Sequence, residues 1–157
     1  FKRAWHFSEP FIGSLMALNG FIITLVEMVV VYSLARKGKN VFFITIGVAL
    51  VGLSFFALNI PYASIIIAIF MIMLISFGEI FSMPFMNSYW LSRTQHGNQG
   101  QYAALYTMAW SAAQTLGPMS GAQVAQIFGF KWLWWITGSL SLLVSLIFYR
   151  LYRKNKV

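Results

Sequence analysis

The sequence predicts an all-α integral membrane protein, a bundle of about five transmembrane helices. Hydrophobic residues make up 59% of the 157-residue chain and charged residues 9%, which leaves too few polar side chains to cover a soluble globule. Apolar runs recur along it, each of the roughly 20 residues needed to cross a hydrocarbon core of about 30 Å at about 1.5 Å per residue. Of only three acidic residues, two, Glu27 and Glu79, lie inside such runs. An ionisable group is expensive there and marks function by default.

The expected spans, in order, are Phe11 to Leu34, Val41 to Leu58, Ala63 to Trp90, Gln101 to Ile127 and Trp132 to Tyr152. In the first, Gly13, Gly20 and Glu27 recur every seven residues and share one face, where the glycines would permit close helix approach and the carboxyl would point into the bundle. The second is the shortest and nearly crosses. The third and fourth exceed the need, so they should tilt or bend, and Pro84 and Pro118 within them are expected kink points because proline removes a backbone donor and crowds the preceding turn. The fifth ends in the basic tail. Trp5, Trp90, Trp132, Trp134 and Trp135 fall near span ends, as interfacial anchors do.

The connectors, Ala35 to Asn40, Asn59 to Tyr62, Leu91 to Gly100 and Gly129 to Lys131, are short, so consecutive helices run antiparallel and alternate loops fall on opposite sides. Arg36, Lys37, Lys39, Arg93, Arg150, Arg153, Lys154 and Lys156, eight in all, then share one side, against three, Lys2, Arg3 and Lys131, on the other. The more basic side is expected to be cytoplasmic. In a cell (inner or plasma) membrane this puts the N-terminus outside and the C-terminus inside. Five spans ending inside require a start outside, and residue 1 is Phe with no cleavable signal. The chain is therefore expected to be a piece of a longer protein, with residues 1–10 forming the outer loop after an upstream helix.

Several function classes find no support. The net charge of +8 comes from residues that cluster between and after the apolar runs, where they meet headgroups or cytoplasm, so membrane lipids are the expected partner and nucleic acid is not. The absence of Cys excludes disulfides, thiolate metal sites and cysteine nucleophiles. His6 and His96 fall in loops, leaving no axial haem pair, and no carboxylate and histidine cluster suggests a metal. No phosphate-binding loop and no paired nucleophile and base are visible, so neither a cofactor nor enzyme activity is expected.

The stretch Gly78-Glu79-Ile80-Phe81-Ser82-Met83-Pro84, followed by a polar loop, Gly100-Gln101-Tyr102-Ala103-Ala104-Leu105-Tyr106-Thr107 and Leu116-Gly117-Pro118-Met119-Ser120-Gly121, resembles the major facilitator superfamily. Within it, these segments are similar to the tenth and eleventh helices of drug:proton antiporter-type members, and Ile12-Gly13-Ser14-Leu15-Met16-Ala17-Leu18-Asn19-Gly20 to the eighth. The resemblance covers nearly the whole chain, residues 1–157, as one membrane domain: the incomplete C-terminal half, helices eight to twelve, of a twelve-helix carrier. Its topology agrees with the orientation read from charge. Two departures stand out: the loop Ala35-Arg36-Lys37-Gly38-Lys39 lacks the family motif's acidic residue, and Gln99 stands where Arg often precedes Gly.

The resemblance implies alternating access around a central site between two halves, with the missing N-terminal half, protons and a small-molecule substrate as partners. Because tenth helices in this family line the cavity, Glu79 is expected to be the proton-binding carboxylate, against the alternative of a structural carboxyl bonded to a neighbouring helix. Met83, Met86 and Asn87 follow at helical spacing as an adaptable wall or as packing. Glu27 is an auxiliary carboxylate on a face that is either cavity wall or helix contact. Tyr106, Trp110, Gln114, Gly117 and Gly121 form a further stripe. Its aromatic and amide members suit an amphipathic organic ligand, and its glycines suit packing against a neighbouring helix. Asn19 is a further substrate-contact candidate. The expected function is proton-coupled export of small amphipathic compounds by a secondary transporter. The alternative is a non-catalytic membrane scaffold or accessory subunit built from transporter-like helices.

Overall fold

The computed structural model describes residues 5, 7–35, 39–60, 64–94 and 97–154. The loop charges Lys2, Arg3, Arg36, Lys37 and Lys156, together with His6 and His96, lie outside the described residues. Among the described residues the long helices are α1 (Glu9–Ala35), α2 (Asn40–Ala57), α3 (Ile65–Leu91), α4 (Gln99–Ile127) and α5 (Phe130–Lys154). Among the described residues four of them, α1, α2, α3 and α5, are long and apolar enough to cross a membrane. Helix α4 is long enough, but Gln99, Gln101, Gln114, Gln123 and Gln126 make it more polar. A helix of this composition crosses lipid only if its polar stripe faces protein or water.

Sequence punctuation explains the ends. Ser64 caps α3 by accepting a hydrogen bond from the Ile66 N–H at 3.3 Å, satisfying one of the unpaired donors of the first turn. Gly129, at φ +86°, makes the tight turn between α4 and α5, a left-handed conformation that glycine adopts without steric cost. Pro84 and Pro118 lie inside α3 and α4, and both helices continue through them. Each proline deprives one carbonyl, that of Ile80 or Gln114, of its helical donor.

Helix α2 is the centre of the bundle, packed on α3 along one side and α5 along the other, while α1 packs on the far side of α3 and α4 leans on α5. Glycine sets both close approaches. A Cβ added at Gly47 would sit 2.6 Å from Gly78 O and from Ser82 N of α3, and one added at Gly52 would sit 3.2 Å from Gly138 O of α5. Backbones meet at these points, as small residues allow in membrane bundles. The Ser145 hydroxyl also donates to Thr45 O across α5 and α2, at 2.8 Å.

The glycines expected to mediate close approach do not do so here. Gly13, Gly20 and Gly117 have no atom within 4 Å of the position a Cβ would take, and Gly121 has only Leu133 Cδ1, at 3.7 Å. Periodicity shows that such residues share a face but not what that face meets, and in this bundle α1 and α4 turn those faces away from their neighbours. The core proper lies elsewhere. Leu15 of α1 packs with Ala68, Met71 and Ile72 of α3, and Phe43 and Ile44 of α2 pack with Phe85 of α3.

Candidate functional site

Glu79 lies fourteen residues after the first residue of α3 and twelve before the last, about 21 Å and 18 Å from the two ends at ~1.5 Å per residue. That is the middle of the helix. Its position within α3 follows from its neighbours: Gly78 and Ile80 on either side are buried, Gly78 against α2, which turns residue 79 toward α1. The side chain is half-buried. Asn19 Nδ2 of α1 donates to Glu79 Oε2 at 3.3 Å. Asn19 Oδ1 lies 2.5 Å from Ser76 Oγ, whose hydroxyl is also 2.8 Å from Ile72 O one turn back in α3. Ser76 is fully buried.

A three-residue polar cluster thus bridges two helices at mid-depth, and each member has a reason for being there. A hydroxyl inside a helix usually bonds back to the carbonyl four residues earlier. In Ser76 it has a second acceptor because α1 brings an amide opposite. An ionised carboxylate accepts at both oxygens and a neutral carboxyl at its carbonyl oxygen, so the Nδ2 donor suits either form of Glu79. Asn19 reaches the site as the partner of the carboxylate, with both amide heteroatoms engaged. Sequence reading placed Asn19 among the substrate contacts and did not foresee the pairing with Glu79 or the participation of Ser76. No local pattern announces a contact between residues 60 apart.

The other candidates fall along a path from this cluster. On α3, Met83 and Asn87 follow Glu79 at four-residue steps and are exposed, whereas Met86 packs against the Phe43, Ile44 and Phe85 cluster and belongs to the core. Asn87 Oδ1 accepts from Trp90 Nε1 at 3.2 Å, and the Trp90 ring stacks on Tyr106 of α4, with centroids 5.8 Å apart and planes 27° apart. That stack joins α3 to α4, where Tyr106, Trp110 and Gln114 repeat every four residues. Tyr106 is half-buried, and Trp110 and Gln114 are exposed. Gln114 lies fifteen residues into α4 from the same membrane side, about 22 Å at ~1.5 Å per residue, close to the depth of Glu79. Trp90 was expected to be only an interfacial anchor, and here it joins the two candidate stripes.

Glu27 is half-buried in α1, eight residues beyond Asn19, about 12 Å further along the axis at ~1.5 Å per residue, and does not join the cluster. An open groove of about 650 Å³ runs along α5, lined by Lys131, Trp132, Trp135, Ile136, Leu140 and neighbours, all of α5. It lies on a different side of that helix from the one that meets α2 through Gly138, Ser141 and Leu142. The groove contains none of the candidate residues.

Apolar helices of membrane-spanning length, joined by glycine contacts and carrying a hydrogen-bonded carboxyl at mid-depth, define a multi-pass membrane protein of the transporter class. The model of the Major Facilitator Superfamily matches residues 1–157. The chain belongs to that superfamily, whose members are membrane transporters, and the all-helical fold is that of part of such a carrier. No curated protein and no solved structure matches the chain.

Proposed function

We propose that the chain is the incomplete C-terminal half, helices eight to twelve, of a proton-coupled exporter of small amphipathic organic compounds working by alternating access, with its basic loops in the cytoplasm. The observation that carries this reading is the placement of Glu79. A carboxyl at the middle of a membrane-length helix, half-buried and met by one neutral amide, has no cation from the described residues within salt-bridge distance to fix its charge. A carboxyl so placed can serve as the coupling group, because alternating access changes what surrounds it.

In the cycle, substrate and proton compete for the same vestibule. With Glu79 ionised, the site facing the cytoplasm takes a compound against Met83, Asn87, Tyr106, Trp110 and Gln114, a mostly apolar wall with a few amide groups. Opening to the outside lets a proton reach Glu79 and favours release. The neutral site then returns inward. Glu27, nearer the cytoplasmic end of α1, serves as an auxiliary carboxylate on the proton's route. The test uses the complete carrier in proteoliposomes, with ethidium as a fluorescent amphipathic cation. Glu79→Gln is expected to abolish uphill movement driven by a pH gradient while leaving downhill exchange measurable. Unchanged gradient-driven movement in that variant refutes the coupling role.

A further inference from the structure

The Ser76 hydroxyl has one hydrogen and two acceptors within reach, Asn19 Oδ1 at 2.5 Å and Ile72 O at 2.8 Å. It can satisfy only one at a time. Ile72 O is not left bare in either case, because it already receives the helical N–H of residue 76. The hydroxyl is therefore free to choose, and the choice is set by which end of the Asn19 amide it faces. An amide has an acceptor at one end and donors at the other, and turning it by 180° exchanges them within the same volume.

Two complete hydrogen-bond arrangements follow for the same heavy-atom positions. With Glu79 ionised, Asn19 Nδ2 donates to the carboxylate and Asn19 Oδ1 accepts from Ser76. With Glu79 protonated, the carboxyl O–H donates to Asn19 Oδ1, the reversed Nδ2 donates to Ser76 Oγ, and the Ser76 hydrogen turns to Ile72 O. Were the amide to stay in its first orientation, the new carboxyl hydrogen would need another acceptor, and Asn19 is the only described residue bonded to Glu79. We propose that Asn19 and Ser76 are positioning residues forming a proton-responsive relay, in which the amide reverses and the hydroxyl turns each time Glu79 gains or loses its proton.

This inference rests on the reading of Glu79 as the proton-binding group. The relay holds α1 against α3 in both charge states and carries the state of Glu79 into the buried contact between the two helices. Other titratable groups on the neighbouring elements are few. Helix α1 carries Glu9, Glu27 and Tyr32, α2 carries none, α3 otherwise carries Tyr89, and α4 carries Tyr102 and Tyr106. Glu27 is the only other carboxyl on the inward half of α1. Ser82 supplies an internal control, since it lies three residues beyond Glu79 as Ser76 lies three before it. It is buried likewise, and it bonds only to Gly78 O, at 2.7 Å.

The experiment is solid-state NMR on the complete carrier in liposomes, with ¹⁵N in Asn side chains and ¹³C in Glu and Ser, recorded across a pH titration. Glu79→Gln and Asn19→Leu identify the two signals by their loss. The relay predicts that the through-space contact of Asn19 Nδ2 with the Glu79 carboxyl carbon is replaced by one with Ser76 Cβ as that carboxyl protonates. In Ser76→Ala the reversed amide would leave an N–H without its acceptor, which is costlier than leaving a carbonyl oxygen without its donor, so the contact with Glu79 should persist throughout while Glu79 still titrates. Ser82→Ala should leave the exchange intact. If Glu79 titrates and the native Asn19 contact never exchanges, the relay is wrong and the proton site stands. If the Glu79 carboxyl carbon does not titrate, both fall.

Discussion

Replacing Gly47 with alanine tests the packing that sets the depth and direction of Glu79. The added methyl would lie 2.6 Å from Gly78 O and 2.6 Å from Ser82 N, where ordinary contact begins at 3.4 Å. Both neighbours are backbone, so no side chain can swing aside, and α2 and α3 must part by about 0.8 Å at their crossing. Overpacking of this kind costs about 1–3 kcal/mol. The higher helix propensity of alanine returns at most ~1 kcal/mol of that. With three backbone atoms within 2.9 Å of the added methyl the cost lies toward the upper end of that range, and we expect a net loss of about 1–2 kcal/mol, read as an earlier midpoint of unfolding by SDS in mixed micelles followed by tryptophan fluorescence. Gly121→Ala, whose methyl would meet only Leu133 Cδ1 at 3.7 Å, is expected to change stability by less than about 0.5 kcal/mol. A Gly47→Ala carrier as stable as the native one would show that the α2–α3 crossing is not the close contact described.

Other expectations follow from single contacts. Ser145→Ala removes the hydrogen bond to Thr45 O that joins α5 to α2, and an interhelical bond of this kind is worth about 0.6 kcal/mol, measurable in the same unfolding assay. Among the described residues the buried Asn59 Nδ2 and Oδ1 have no hydrogen-bond partner, so Asn59→Leu should stabilise by about 1 kcal/mol, since an unsatisfied buried amide costs about 1–3 kcal/mol. A loss of stability there would mean that the amide has a function. Trp90→Ala removes the stack on Tyr106, worth about 0.5–1.5 kcal/mol beyond area burial. It should weaken ethidium binding, measured by fluorescence titration, roughly three- to tenfold, with little effect on the Glu79 titration.

Helices α1, α2, α3 and α5 were legible because each apolar run has the length that a bilayer demands, and the carboxylate at residue 79 was legible because nothing else in its run is charged. Which way residue 79 turns was not. That depends on Gly78 meeting α2 and on Asn19 standing opposite, two facts about helix pairing that periodicity within one helix does not contain. The glycines show the same limit. Gly13 and Gly20 have the regular spacing yet meet no neighbouring atoms, while Gly47, Gly52, Gly78 and Gly138, without a shared period, make the contacts. In α4 the stripe of Tyr106, Trp110 and Gln114 was legible, whereas the run was expected to be a plain span and its five glutamines set it apart from the other helices. The stack that links it to α3 through Trp90 depends on how the two helices meet.

The central claim is that Glu79 is a proton-binding group in competition with substrate. The most direct measurement is proton release on adding ethidium to the purified, complete carrier in weakly buffered detergent solution. The account predicts a release by the native protein, at a pH where Glu79 is protonated, that Glu79→Gln abolishes and Glu27→Gln leaves in place. Equal release from the native carrier and from Glu79→Gln would contradict it.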